Sequence, residues 1–511
     1  MYDLQRRKPR IFHLDEVLYN FYPAKPGSKP SEKNDWTLRD AVRGVQIFGG
    51  IGSGKSSGSG YALAMTYLKN GFGGLVLTGK VDETPVWLDY ARKAGRLEDV
   101  VIFGPYTDQY FEKYPELRRR HSSEFRFDPL EYERTREGRG AGETRNIVDL
   151  FSSLAKMGGR ATGEVDDKNS GFWERAMRRC IQAAVNLLIL AGKPVTVNQI
   201  AYVIRHTPLT GNPLERFDNA KETEWYAWGQ KSKTIAYIAE ALKNVAHSGD
   251  PSQAQTFDVV KHYFLLEFQA LAPETRSSIL EHFYSLADPF RTGLLAKYFS
   301  GSTDDPVMPE RTFEGKIIIL DFPVKEYLEV GVYAQAIYKK LWQQAAERRA
   351  VDQYSRPVFL WVDEAQYFIN HEDVMFQTTA RSARACTVLI SQNISNYYAN
   401  ISGAKSKELV NSLLGNLATK IFHNNSDYVT NEWAANSIGK AYREKETATD
   451  DDRISWTSEY QYQYLPRKFL FQRTGGPLNH NIVDGVVMVA GKKFSNGKNY
   501  LVAKFSQEPE Q

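Results

Sequence analysis

Hydrophobic and polar positions along the first hundred residues predict strands and helices in turn. Val45–Phe48 is a short apolar run of strand type, Tyr61–Asn70 has helical spacing stopped by Gly71, and Leu75–Leu77 is apolar again. Thr84 offers an N-cap with Pro85 at the first helical position, that helix runs to Gly95, and Val100–Phe103 is the next strand. Short apolar strands separated by helices predict a parallel sheet with crossover helices.

The pattern gives way between about Tyr106 and Gly315. Glu133–Arg145 is rich in Gly and Arg, Gly158–Ser170 reads as a polar linker, and a long helix is expected over Phe172–Ala191. Helical spacing continues in Val197–Ile204, Thr234–His247 and Arg276–Ala287, with few strand signals. Alternation then resumes with a strand at Lys316–Phe322, a helix over Val332–Arg349, a strand at Pro357–Val362, a helix up to Ala385 and a strand at Thr387–Ser391. Glu408–Leu414, Ala418–Phe422 and Thr430–Ile438 complete the series. A polar, acidic segment, Glu444–Asp452, separates these from Val483–Val489 and Tyr500–Phe505, which pair as an expected hairpin. The expected division is an N-terminal extension over 1–43, an α/β part over 44–189, an inserted all-α domain over 190–300, a second α/β part over 301–443 and a C-terminal segment over 444–511.

Composition narrows the class. The chain has 511 residues, 42% of them hydrophobic and 25% charged, which matches a globular protein and excludes collagen, disordered and disulfide-scaffold classes. No apolar run approaches the ~18 residues of a membrane span, and Met1–Arg10 is polar and basic. A cytoplasmic protein without direct membrane insertion is expected. Cys180 and Cys386 are far apart in sequence, and the histidines include no HExxH pair, so a metal centre built from protein ligands alone is not expected. Lys and Arg total 65 against 61 Asp and Glu, a net charge of +4, which argues against a polybasic protein and leaves a local basic surface. Arg134, Arg136, Arg139 and Arg145, spaced by glycines, are the densest candidate set for nucleic-acid phosphates.

The strongest chemical signal follows the first strand. Gly49, Gly50, Ile51, Gly52, Ser53, Gly54, Lys55 and Ser56 fit GxxxxGK[ST] in full, directly before a predicted helix that continues through Ser57. Glycines allow the backbone N–H groups to converge on a phosphate cluster, and the helix N-terminus adds its dipole. Lys55 would then reach the β- and γ-phosphates of ATP, and the Ser56 hydroxyl would hold Mg²⁺. Gly54–Gly58 also fits GxSxG, which would make Ser56 a nucleophile with His423 or His480 as partner, yet that reading leaves Lys55 and the upstream glycines unused.

Later strands supply the complementary groups. Pro357–Val362 ends in Asp363 and Glu364, which suit magnesium binding and the general base respectively. Thr387–Ser391 ends in Gln392, an amide able to sense a γ-phosphate or orient water. Arg381 and Arg384 precede that strand, three residues apart on a predicted helix, as candidate arginine fingers for a neighbouring subunit.

Taken together, Gly49–Ser56, the strand-ending lysine of Leu75–Lys80, Phe127–Leu130, Phe172–Glu174, Phe359–Gln366 and Ser391–Gln392 resemble the additional-strand P-loop ATPases of the FtsK and HerA type. The similarity is closer to the coupling ATPases of conjugative type IV secretion. This resemblance implies a RecA-like α/β fold with a mostly parallel sheet and an inserted all-α domain. It also implies a homo-hexamer that hydrolyses ATP with Mg²⁺ at subunit interfaces to move DNA, and relaxase-like or secretion-channel protein partners. In that family the arginine lies eleven positions before the sensor Gln, which favours Arg381 over Arg384. The transmembrane pair of typical coupling proteins has no counterpart here. A nucleotide-gated scaffold that assembles a protein complex without translocation is the alternative.

Overall fold

The computed structural model describes residues 10–507 apart from 26, 28, 106, 120–124, 152–169, 302, 304, 402–405 and 449–453. The expected linker at 158–170 lies outside the described residues except for Ser170, where the next helix begins. The chain divides into two compact units, one of Met1–His121, Pro309–Leu328 and Lys339–Gln511, the other of Ser122–Met308 and Glu329–Tyr338.

A nine-stranded sheet organises the first unit. In chain order its strands are β1 (Val45–Phe48), β2 (Gly73–Leu77), β3 (Val100–Phe103), β4 (Ile317–Leu320), β5 (Val358–Val362), β6 (Ala385–Ser391), β7 (Thr419–Phe422), β8 (Ile482–Val489) and β9 (Tyr500–Ser506). The spatial order is β9-β8-β7-β1-β6-β5-β2-β4-β3. Ladders joining β1 to β7 are parallel, and β8 and β9 add an antiparallel edge that contains the expected C-terminal hairpin. β1 to β6 are buried along their whole length, which is why they read as continuous apolar runs with no polar face. Close packing sets one residue choice in β2: a Cβ at Gly74 would lie 2.4 Å from the Phe359 ring of β5.

Strand order decides what meets at the carboxyl ends. β6 lies between β1 and β5, so the loop after β1, the Asp363–Glu364 pair after β5 and Gln392 after β6 share one rim. β2 flanks β5 on its other side and brings Lys80 to the same rim. The helix after β2 spans Glu83–Lys93, starting earlier than expected, because Thr84 does not cap it. The Thr84 hydroxyl instead donates to buried Asp321 at 2.7 Å, joined by the Tyr110 hydroxyl at 3.0 Å. Burial raises the Asp321 carboxyl to about 6. The N-terminal extension is folded onto the sheet. Val17–Asn20 pairs with Asp35–Thr37, and the buried Trp36 indole donates to the Thr419 hydroxyl of β7 at 3.0 Å.

Two local expectations change. The helix before β6 is His371–Thr379 and stops short of Ala385, leaving Arg381 and Arg384 in a turn. Arg384 has φ 48°, and the Arg349 guanidinium donates to the Ala383 carbonyl beneath that turn at 3.1 Å. The acidic segment expected as a separator is largely a hairpin, Lys440–Ala448 against Ile454–Tyr462, with Tyr442 opposite Tyr460. Residues 449–453 of it are outside the described set.

The second unit is helical, with long helices at Ser170–Leu190, Lys233–Ser248 and Pro273–Arg291. It begins at Ser122 rather than at 190 because the preceding segment packs within it. The Phe127 N–H donates to the Tyr298 carbonyl at 2.9 Å, and the Phe127 ring lies 4.8 Å from Tyr338 and 6.5 Å from Phe299. Asp128 caps the helix Pro129–Thr135 by accepting from the Leu130 and Glu131 N–H groups at 3.0 and 3.1 Å.

Candidate nucleotide site

The loop after β1 is shaped by close approach as much as by backbone freedom. Gly54 has φ 79°, and a Cβ there would lie 2.5 Å from Val483 of β8. A Cβ at Gly49 would fall 2.4 Å from the Ser53 Oγ, a buried oxygen with no hydrogen-bond partner. The Gly50 N–H donates to the Asn424 carbonyl at 2.8 Å, which ties the loop to the end of β7. Ile51 stands 90% exposed at the tip, with Gly52 beside it in the left-handed region. Lys55 is buried, and a Gly60 N–H bond to its carbonyl at 2.8 Å opens the following helix with a wide i to i+5 turn. Ser57 accepts a hydrogen bond from Gln507 at 2.6 Å on the outer side.

The Ser56 hydroxyl donates to Asp363 Oδ2 at 2.7 Å, and the other oxygen of Asp363 accepts the Glu364 N–H at 2.8 Å. Burial raises the Asp363 carboxyl, with the Ser56 bond and the Lys80 and Lys55 ammoniums opposing it. Glu364 is buried in the left-handed region at φ 48°, ψ 47°, an uncommon conformation for a side-chain-bearing residue that recurs at functional sites. Its Oε1 lies 2.5 Å from the Lys80 Nζ, and its Oε2 accepts from Gln366 at 2.7 Å and from Gln392 at 3.4 Å. Burial disfavours the Glu364 charge, but Lys80 and Gln366 outweigh it and hold the carboxyl below its usual range. The glutamate is therefore ionised at neutral pH, as a proton acceptor must be.

Gln392 is held by the Asn425 amide, which donates to its carbonyl at 2.8 Å. The Ser391 hydroxyl donates to Gln366 Oε1 at 2.9 Å, so the ends of β5 and β6 form one polar chain around Glu364. Lys80, Gln366, Asn425 and Glu83 were not among the expected site residues. Lys80 carried a sequence signal, a lysine following a buried strand, and Gln366 closes the Phe359–Gln366 motif of the resemblance, whereas Asn425 and Glu83 carried none without the strand order. The Glu83 Oε2 accepts the Gly79 N–H at 2.8 Å, and burial, then the Asp363 charge, push its carboxyl well above the usual range. Among the described residues no three His, Cys, Asp or Glu side chains converge as a metal centre. The hydroxyl of Ser56 and carboxylate of Asp363 are hard oxygen donors of the kind Mg²⁺ takes alongside waters and phosphate.

The arginines before β6 lie at its other end. β6 has seven residues, so at about 3.3 Å per residue roughly 20 Å of strand separate Arg381 from Gln392 in one chain. Arg381 is exposed. Arg384 instead donates to the Ser355 carbonyl at 3.0 Å, and burial lowers its pKa. The two do not share a helix face as expected, because the turn intervenes.

The hydrolase reading of GxSxG fails on geometry. Ser56 faces Asp363, while His423 Nε2 lies 2.7 Å from Ser59 Oγ. His423 Nδ1 lies 2.8 Å from the Asp484 carbonyl, which can only accept, so Nδ1 carries the proton and Nε2 accepts from Ser59. His423 is fully buried, and burial lowers it from 6.5 to about 4, against the opposing Asp484 bond. The unfolded chain thus binds this proton first. Stability from neutral His423 is complete above pH 6.5 and is lost as pH falls toward 4, up to about 3 kcal/mol from ~1.4 kcal/mol per unit. Urea unfolding at pH 7 and pH 5 should show a smaller loss for His423→Gln than for the parent. Equal losses would remove His423 from the account.

In the helical unit, the glycine-spaced arginines separate into two kinds. Arg136 is buried against Glu133 at 2.7 Å, and its guanidinium also donates to the Glu137 and Arg139 carbonyls at 3.3 Å each. It closes a loop and is withdrawn from the phosphate-binding set. Arg134 pairs with Glu131 at 2.5 Å, which offsets its charge. Arg139 and Arg145 are exposed.

Residues 357–469 match the family model TraG-D_C, described as the TraM recognition site of TraD and TraG. No curated protein matches the chain. Among solved structures, the bacterial conjugative coupling protein TrwBdeltaN70 in an unbound monoclinic form aligns at TM-score 0.52 and 12% identity, covering 98% of this chain and 96% of that one. Its trigonal form in complex with sulphate aligns at TM-score 0.51 and 13% identity over the same shares of both chains. Plasmid coupling protein TrwB in complex with the non-hydrolysable ATP analogue ADPNP aligns at TM-score 0.50 and 14% identity, again over 98% and 96%. The expected RecA-like fold and the resemblance to conjugative coupling ATPases are both borne out. No helix among the described residues is long and apolar enough to cross a membrane.

Proposed function

We propose that the chain is an ATP-driven, ring-forming motor that moves DNA, or DNA bound to protein, in the manner of a conjugative coupling ATPase. The observation that carries this reading is the Ser56–Asp363 bond at 2.7 Å, which joins the phosphate loop to a strand-end carboxylate pair whose second member is held ionised by Lys80. A neighbour of the same fold binds an ATP analogue, which supports ATP as the ligand here.

In the mechanism, Gly49–Ser57 wrap the phosphates and Lys55 neutralises the β- and γ-oxygens. Ser56 and Asp363 would hold Mg²⁺, which supplies positive charge to the phosphate oxygens when bound. Glu364 accepts the proton of the attacking water as its oxygen bonds to the γ-phosphorus and the bond to the ADP oxygen breaks. Gln392, bonded to Glu364, orients that water or the γ-phosphate. Arg381 lies too far along β6 to serve its own site, so it acts on the site of an adjacent subunit in a homo-hexamer. Arg139 and Arg145 offer charge to DNA phosphates. The segment 357–469 would engage a protein partner, in line with the description of its family model as a TraM recognition site, and a relaxase-like or secretion-channel protein is the partner class we propose.

ATP turnover with and without DNA tests this reading against a scaffold. A motor hydrolyses faster when DNA is added, and more so as salt is lowered, because phosphate contacts weaken with salt. Turnover indifferent to single- and double-stranded DNA would favour a nucleotide-gated scaffold.

A further inference from the structure

We propose that Glu83 belongs to the divalent-cation site, its Oε1 oxygen accepting from a water on the cation that Ser56 and Asp363 hold. This deepens the ATPase reading above and rests on it. The Glu83 carboxylate sits at the start of the helix after β2, beside the β5 rim. One oxygen, Oε2, is committed to the Gly79 N–H at 2.8 Å. The other, Oε1, is buried and has no hydrogen-bond partner. A buried acceptor left unmet is costly, and a carboxylate oxygen more so than most.

That oxygen belongs to a side chain lining a small cavity of about 130 Å³, whose wall also includes Ser56, Lys80 and Asp363, with Trp87 and Tyr90 closing the apolar side. The volume admits several waters. The segment carrying Glu83 is pressed against Glu364, since a Cβ at Gly79 would come within 3.1 Å of the Glu364 Cβ. Lys80, on the same wall, is spent on Glu364 at 2.5 Å, which leaves Oε1 to a partner from outside the chain. Direct ligation by Glu83, Asp363 and Glu364 together is not what the geometry offers, since no such cluster converges among the described residues. Mg²⁺ keeps much of its water shell, and a carboxylate at one water's remove is the partner that shell needs.

Glu83→Gln in the full chain tests the proposal, because Gln keeps an acceptor for the Gly79 N–H and removes the charge. ADPNP affinity is measured across a MgCl₂ titration and again in EDTA, with Lys55→Ala alongside. The expected result is a roughly ten-fold or larger rise in the Mg²⁺ concentration giving half-maximal ADPNP affinity, with affinity in EDTA unchanged. An unchanged Mg²⁺ requirement in Glu83→Gln, with Lys55→Ala still abolishing binding, would overturn the role of Glu83 alone. Binding of ADPNP indifferent to Lys55→Ala would overturn the ATPase reading and this inference with it.

Discussion

Glu364→Gln should slow ATP hydrolysis by about 10²- to 10⁴-fold, the range a positioned general base supplies, while ATP binding stays close to the parent level. The substitution keeps shape and removes the proton acceptor. Its surroundings explain why the loss falls on chemistry: Lys80, Gln366 and Gln392 all converge on the two carboxylate oxygens and none belongs to the phosphate loop. The left-handed backbone at φ 48° is unaffected by the exchange, so the fold should tolerate it. Measuring nucleotide retention and phosphate release on the same protein separates binding from turnover.

Lys55→Ala should act one step earlier. Removing one preorganised charge from a buried site typically costs about 10²- to 10³-fold in rate, and here it also removes the cation that reaches the nucleotide before any chemistry. Lys55 is buried at the start of the helix, and its carbonyl is fixed by the Gly60 N–H, so the side chain is the only part lost. The expected outcome is loss of both ADPNP binding and turnover, read by titration and by phosphate release. Retention of normal binding would move the phosphates away from Gly49–Ser56.

The parts of this site that could be read in the residues alone are the parts whose chemistry is local. Gly49–Ser56 combine glycines, a lysine and a hydroxyl within one turn, and Asp363, Glu364 and Gln392 each end an apolar strand, so periodicity locates them. Lys80 had a local signal, as the lysine that follows a buried strand, but Glu83 became a site residue only because β2 lies beside β5, a neighbour relation set by long-range pairing and invisible in local pattern. The run Ala380–Ala385 has helix-favouring composition, yet tertiary bonds from Arg349 and to Ser355 hold it as a turn with Arg384 at φ 48°. In the hairpin of Lys440–Ala448 and Ile454–Tyr462, charged residues fall on both faces of the first strand and hide its period, while Ile454, Trp456, Tyr460 and Tyr462 alternate with polar residues in the second. Arg136 looked free because sequence spacing shows glycines around it and not the Glu133 carboxylate three residues back that buries with it.

The measurement that bears most directly on the central claim is the identity of the nucleotide held by Glu364→Gln after incubation with MgATP. If Glu364 takes the proton of the attacking water in a site built by Gly49–Ser56 and Asp363, the variant should hold intact ATP where the parent holds ADP. ADP in both proteins, formed at the same rate, would contradict it.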